Sequence, residues 1–153
     1  MDVQPSKATY LSLVIPVFNE EENLHSLTTE LVDVLQSLNA TWEIIFVDDG
    51  STDASFNGLK DLQKRFPHIR IIKFKENCGQ TAAFDAGFKA AKGEVVVTMD
   101  SDLQNDPNDI PKLLNNIVEC EAVCGWRHKR NDPFMKRVSS RTVSYTHLTL
   151  PTN

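Results

Sequence analysis

The chain has 153 residues, room for one compact domain and too few for two with separate cores. Hydrophobic residues make up 41% and charged residues 24%, the composition of a folded globular protein rather than a disordered one. A formal net charge of -5 excludes a nucleic-acid binder that works through bulk positive charge, and no nucleic-acid partner is expected.

Residues 10–18 (YLSLVIPVF) form a continuous β-rich apolar run, the pattern of a strand buried on both faces. Leu24, Leu27, Leu31, Val34, Leu35 and Leu38 then recur at helical spacing, with Glu20, Glu21 and Glu22 placed to complement that helix's N-terminus. Residues 43–47 (EIIFV) predict a second strand, ended by Asp48-Asp49-Gly50-Ser51. Asp53 can cap the next helix, whose inward positions are Phe56, Leu59, Leu62 and Phe66. A third strand is expected over residues 69–74. A small-residue helix over residues 80–92 should stop at Gly93 in the C′ position. Residues 94–99 predict a fourth strand running into Asp100-Ser101-Asp102. Pro107 opens a helix carrying Ile110, Leu113, Leu114, Ile117 and Val118, and residues 122–126 predict a short fifth strand.

Alternating strands and helices imply an α/β fold, a mostly parallel sheet with helices on both faces. Such sheets bind ligands beyond the carboxyl ends of their strands. Three strands end there in chemically unusual residues: Pro16-Val17-Phe18-Asn19-Glu20, Asp48-Asp49 and Asp100-Ser101-Asp102. In an extended segment residues i and i+2 project to one side, so Asp100 and Asp102 can face one cation. Two hard oxygen ligands with Gln104 nearby suit Mg2+ or Mn2+, other positions being left to water and phosphate oxygens. A lone Asp-x-Asp is also common in surface turns. Asp48-Asp49-Gly50-Ser51 reads equally as a turn before a helix, and Phe18 reads as a flat pocket wall or as core.

A local basic stretch (Arg127, Lys129, Arg130, Lys136, Arg137 and Arg141, opposed only by Asp132) points to a phosphate-bearing ligand or an anionic membrane surface, or to a solvated surface run. Cys78, Cys120 and Cys124 lack metal-ligand spacing and read as reduced, partly buried thiols. The N-terminus carries no apolar signal stretch, and no window approaches the ~18 apolar residues of a membrane helix, so this stretch is expected to be soluble. His25, His68 and His128 fall on helix, turn and loop positions and read as solvated. Residues 143–153 fit nothing before them. Their start resembles the translation of a transposase adapter from sequencing-library preparation, so they are expected to be a non-native tail.

PVFNEEENL from Pro16, FVDDGSTD from Phe46, NCGQTAAFDAGFKAAKGE from Asn77, DSDLQNDP from Asp100 and GWRHKRNDPFMKRVSSR from Gly125 together resemble the family-2 glycosyltransferases of the GT-A fold. The likeness is nearest to polyprenyl-phosphate sugar transferases of the dolichyl-phosphate mannose synthase and bactoprenol glucosyltransferase type. It covers residues 11–141, and implies that residues 8–141 are the nucleotide-sugar-binding part of a GT-A domain, incomplete at the C-terminus and inactive alone. It implies Pro16, Phe18, Glu20, Val47 and Asp49 at the donor's base and ribose. Asp100, Ser101, Asp102 and Gln104 would hold the metal and diphosphate, and Arg127 and Arg130 would meet the phosphates. The implied reaction is metal-dependent, inverting transfer of a sugar from a nucleoside-diphosphate sugar to a polyprenyl phosphate, at the cytoplasmic face of the membrane for the full-length enzyme. Two rivals remain at this point: a family-2 transferase with a soluble or polysaccharide acceptor, and a receiver-like signalling domain using Asp48, Asp49 and Asp100.

Overall fold

The computed structural model describes residues 10–117 and 121–125. The chain divides into two units, Met1–Ala122 and Val123–Asn153; the architecture below is that of the first, and of the second only Val123, Cys124 and Gly125 are described.

Strands β1 (Leu11–Val17), β2 (Trp42–Asp48), β3 (Ile69–Lys73) and β4 (Val95–Thr98) alternate with helices α1 (Leu24–Ser37), α2 (Ser55–Arg65) and α3 (Gln80–Ala90). After β4 a single 3-10 turn at Pro107–Asp109 leads into α4 (Ile110–Asn116). All neighbouring strands are parallel, in the order β3-β2-β1-β4. Every residue of β1 is buried, and in β2 only Trp42 is not, which is why both read as largely apolar runs. A receiver-type sheet would place β1 between β2 and β3; here β2 lies between the other two.

Topology decides which helix covers which face. The chain steps from β1 to β2 to β3 in one direction, then returns to the far side of β1 to lay down β4. Crossovers keep one hand, so reversing direction moves the connecting helix to the opposite face. Accordingly Leu24, Leu27, Leu31 and Leu35 of α1, Leu59 and Leu62 of α2 and Ile110 of α4 share one core with Leu13, Ile15, Ile44 and Phe46. On the other face α3 packs Ala83 against Val14, Ile45 and Val47. A Cβ at Gly87 would run into the Val14 side chain, so the small residues of α3 let it lie close to the sheet. The strand order reverses between β1 and β4, and that crevice is where open α/β sheets take ligands.

At the opposite, amino-terminal pole a buried carboxylate ties the layers together. Glu43 Oε1 accepts the Ser12 hydroxyl at 2.7 Å and the Lys92 N–H at 2.8 Å. Its Oε2 accepts Arg70 Nη1 at 2.8 Å, and the same guanidinium nitrogen donates to the Ala90 carbonyl. Burial pushes the Glu43 carboxyl up, but the hydrogen bonds from Arg70, Ser12 and Lys92, with the Arg70 charge, outweigh it and hold the group below its ordinary range.

Several elements differ from expectation. Helix α3 ends at Ala90, and Gly93 is not in a left-handed C′ position. Its lack of a side chain serves close approach instead, because a Cβ there would sit 2.6 Å from the Ser12 backbone nitrogen. Strand β4 is shorter than residues 94–99, and β3 ends at Lys73. Glu20, Glu21 and Glu22 precede α1, whose first turn holds no acid. Phe56 is only half-buried and lies under the Lys73 ammonium, 3.8 Å from the ring centroid, rather than in the core. Residues 122–125 carry no strand, and Trp126 lies outside the described residues, as do Val118, Cys120 and His128. Cys78 and Cys124 are free and exposed, not partly buried. The proposed tail, residues 143–153, also lies outside the described residues. Among the described residues no helix is long and apolar enough to cross a membrane.

Candidate functional site

The loops leaving β1 and β2 are stapled to each other by the motif residues themselves. Asn19 takes a left-handed conformation (φ 55°), a conformation its short polar side chain tolerates. Its side-chain carbonyl accepts the Thr52 N–H at 2.8 Å, while its own N–H donates to Ser51 Oγ at 3.0 Å. The Glu20 N–H donates to Ser55 Oγ at 2.8 Å. Two bonds tie Glu21 to the start of α2: the Ala54 N–H donates to the Glu21 carboxylate at 2.7 Å, and the Glu21 N–H to the Asp53 carboxylate at 3.3 Å. Glu21 thus serves the start of α2 rather than of α1, beside Asp53, which accepts the Ser55 N–H. Burial raises the Asp53 carboxyl, and the bonds from Ser55 and Glu21 more than reverse this, leaving it below its ordinary range. An open pocket of about 180 Å³ between these loops is lined by Asn19, Glu20, Glu21, Glu22, Asn23 and Asp53. Its acidic lining makes it a poor seat for a diphosphate.

The two aspartates ending β2 face different tasks. Asp48 is fully buried; its Oδ1 accepts the Ser51 N–H at 3.1 Å and its Oδ2 is buried without a protein partner. Asp49, 3% exposed, accepts the Cys78 N–H at 2.7 Å and the Gly79 N–H at 2.9 Å, one on each oxygen. It therefore pins the β3–α3 loop and the start of α3 to the tip of β2, with its charge at the favourable end of the helix. Gly50 (φ 72°) permits this closure, since a Cβ there would overlap the backbone of Glu76.

Asp100-Ser101-Asp102 follows β4 at the crevice. Met99 still donates to Val14 O as a ladder residue would, at 3.2 Å. The next rung of a parallel ladder would reach Pro16 O; there the buried Ser101 hydroxyl donates instead, at 3.0 Å. That side-chain bond ends the strand, so residues 101–103 bend, and the expected extended geometry stops at Thr98. Asp100 is half-buried and Asp102 exposed, on either side of the inward Ser101. Asp102 Oδ1 accepts the Gln104 N–H at 3.1 Å. Leu103 between them holds a left-handed φ of 57°, an outlier for a branched residue costing about 1–2 kcal/mol. Among the described residues no three His, Cys, Asp or Glu side chains form a ready-made metal cage, so a cation here would complete its shell from a ligand.

Phe18 is 44% exposed at the tip of β1, a surface ring and not core. Pro16 lies inside β1, paired with Val47, rather than where the strand leaves the sheet. Val47 is wholly buried against α3, and Glu20 accepts Asn23 Nδ2 at 2.6 Å. The resemblance implies Ser101 at the diphosphate, yet its hydroxyl is turned inward. Arg127 and Arg130 lie outside the described residues. Sequence reasoning missed Gln80, whose Nε2 donates to Asp100 Oδ1 at 2.7 Å. It also missed the buried, half-satisfied Asp48. No periodicity distinguishes Asp48 from Asp49, or marks the first residue of a helix as part of a distant loop.

The sequence matches Glycosyl transferase family 2 over residues 12–151. It is 40% identical over 145 residues to a dodecaprenyl-phosphate galacturonate synthase of Rhizobium johnstonii, covering 92% of this chain and 43% of that protein. To an undecaprenyl-phosphate 4-deoxy-4-formamido-L-arabinose transferase of Salmonella choleraesuis it is 38% identical over 145 residues, covering 94% and 44% respectively. The chain thus spans less than half the length of these relatives. Among solved structures it resembles a mannosyltransferase of Pyrobaculum calidifontis in complex with GDP-Man and Mn2+ (TM-score 0.63, 20% identity, 82% of this chain and 39% of that one). It also resembles S. aureus TarS in complex with UDP (TM-score 0.54, 21% identity, 80% and 40%). At such identities the likeness is one of fold, the GT-A arrangement. The fold agrees with the family match, and the chain belongs to glycosyl transferase family 2.

Proposed function

We propose that the protein containing this chain transfers a sugar from a nucleoside-diphosphate sugar to a polyprenyl phosphate, with inversion, at the cytoplasmic face of the membrane. The observation that carries this reading is the placement of Asp100 and Asp102 in the crevice where the strand order reverses. The acceptor class is supported by the relatives named above, both of which carry dodecaprenyl or undecaprenyl phosphate in their names. Phe18, Pro16, Glu20, Val47 and Asp49 border the donor's base and ribose, Phe18 through its exposed ring and buried Val47 through its backbone. Asp100, Asp102 and Gln104 hold Mg2+ or Mn2+ with the diphosphate. Arg127 and Arg130 take the phosphates.

The donor set fits such a cation: hard carboxylate oxygens, one residue half-buried and one exposed. When bound, the cation supplies Lewis-acid stabilisation of the charge that builds on the departing nucleoside diphosphate. The Ser101 bond to Pro16 O anchors the loop that carries the two carboxylates. The acceptor's phosphate oxygen is already anionic near neutral pH and attacks the anomeric carbon without a general base. That removes any need for a catalytic histidine. Asp102→Asn in the full-length enzyme should abolish transfer to undecaprenyl phosphate and leave the circular dichroism spectrum unchanged. Turnover at the wild-type rate in that variant, or indifference to EDTA, refutes the reading.

A further inference from the structure

The structure assigns Gln80 as a positioning residue that orients Asp100 for a divalent cation. This rests on the reading of Asp100-Ser101-Asp102 as the cation site and adds a member that neither strand tip contains. Gln80 is the first residue of α3, and its side-chain amide reaches across to Asp100 Oδ1 at 2.7 Å, 20 residues away in sequence. Its own placement is fixed by the preceding residues. Gly79 (φ 91°) turns the chain into the helix, and the N–H groups of Cys78 and Gly79 are both held by the Asp49 carboxylate. A continuous set of contacts therefore runs from the tip of β2, through the start of α3, to the loop after β4. Three separate sequence motifs meet in it.

The chemistry of the donor matters as much as its place. The amide binds one oxygen of Asp100 and leaves the other without a partner among the described residues. It carries no charge, so it restrains the carboxylate without neutralising it, and the two negative charges of Asp100 and Asp102 remain for a cation to balance. A lysine at this position would form the same bond and compete with the cation electrostatically. The contact is solvent-exposed, so it adds little to global stability, and its effect lies in orientation.

The test is Mn2+ binding by the full chain, read from the loss of the free-ion EPR signal, with Mn2+ alone as the probe. Gln80→Ala should weaken binding about tenfold with an unchanged melting temperature, a separation that a purely structural role would not give. Gln80→Lys keeps a donor and a good helix former, and should also weaken binding; it decides the matter if the alanine variant does not fold. Wild-type Mn2+ affinity in either folded variant, while Asp102→Asn loses binding, overturns the role of Gln80 and leaves the cation site standing. Absence of Mn2+ binding by the unsubstituted chain overturns both.

Discussion

Replacing Asp49 by asparagine tests its role as the anchor of the β3–α3 loop. In the folded chain both Asp49 oxygens are engaged by backbone N–H groups, at 2.7 Å from Cys78 and 2.9 Å from Gly79, and the residue is only 3% exposed. Asparagine keeps one carbonyl acceptor and turns an NH2 toward the other N–H. The loss is one charge-assisted bond, worth about 1.5–3 kcal/mol, together with a favourable charge at the start of α3 worth about 0.3–1 kcal/mol. The sum is about 2–4 kcal/mol, a large share of a stability that is ordinarily about 5–15 kcal/mol. In urea, with a slope of about 2 kcal/mol per molar, the unfolding midpoint of Asp49→Asn should fall by about 1–2 M. Equilibrium unfolding followed by circular dichroism reads this directly, and amide exchange at Cys78 and Gly79 should accelerate in the variant. A midpoint within about 0.2 M of wild type would refute the argument that Asp49 anchors the β3–α3 loop.

Two further outcomes follow from the pole opposite the site. Glu43 has a folded-state carboxyl held below its unfolded value, so its contribution to stability is present above the unfolded pKa and disappears as pH falls through the lower folded one. Urea midpoints measured from neutral to acidic pH should therefore drop less steeply in Glu43→Gln than in wild type; parallel curves would show that the Ser12–Glu43–Arg70 contacts are not coupled to folding. Gly93→Ala should cost about 2 kcal/mol or more, because its Cβ would meet the Ser12 backbone rather than a side chain that can move; a thermal midpoint equal to wild type would show that the α3–β4 loop can back away.

The sheet was legible because burial on both faces writes itself into composition: β1 and β2 are mostly apolar, and α1 repeats leucine at helical spacing. Strand ends were less legible, because they are set by single side-chain bonds. The Ser101 hydroxyl on Pro16 O, which ends β4, has no periodic signature. Gly93 shows the same limit, since a glycine that stops a helix and one that lets two backbones approach are identical in sequence. The acidic cluster after Phe18 fits the helix-dipole rule for α1, yet Glu21 is drawn to α2 by Ala54, a partner 33 residues away. Much of the paired motif Phe18-Asn19-Glu20-Glu21 and Asp48-Asp49-Gly50-Ser51-Thr52-Asp53 is loop stapling, and it resembles a ligand site in sequence because both place short polar side chains at strand ends. Gln80 was invisible for a related reason: its role exists only once α3 crosses to the other face and its start meets the loop after β4.

The central claim is that Asp100 and Asp102 bind a nucleotide's diphosphate through a shared divalent cation. Calorimetric titration of UDP and GDP into the full chain, with Mn2+ and then with EDTA, tests it most directly. One of the two nucleotides should bind with Mn2+, lose that binding in EDTA, and lose it equally in Asp102→Asn. Nucleotide binding that persists in EDTA, or that the substitution leaves untouched, would contradict the account.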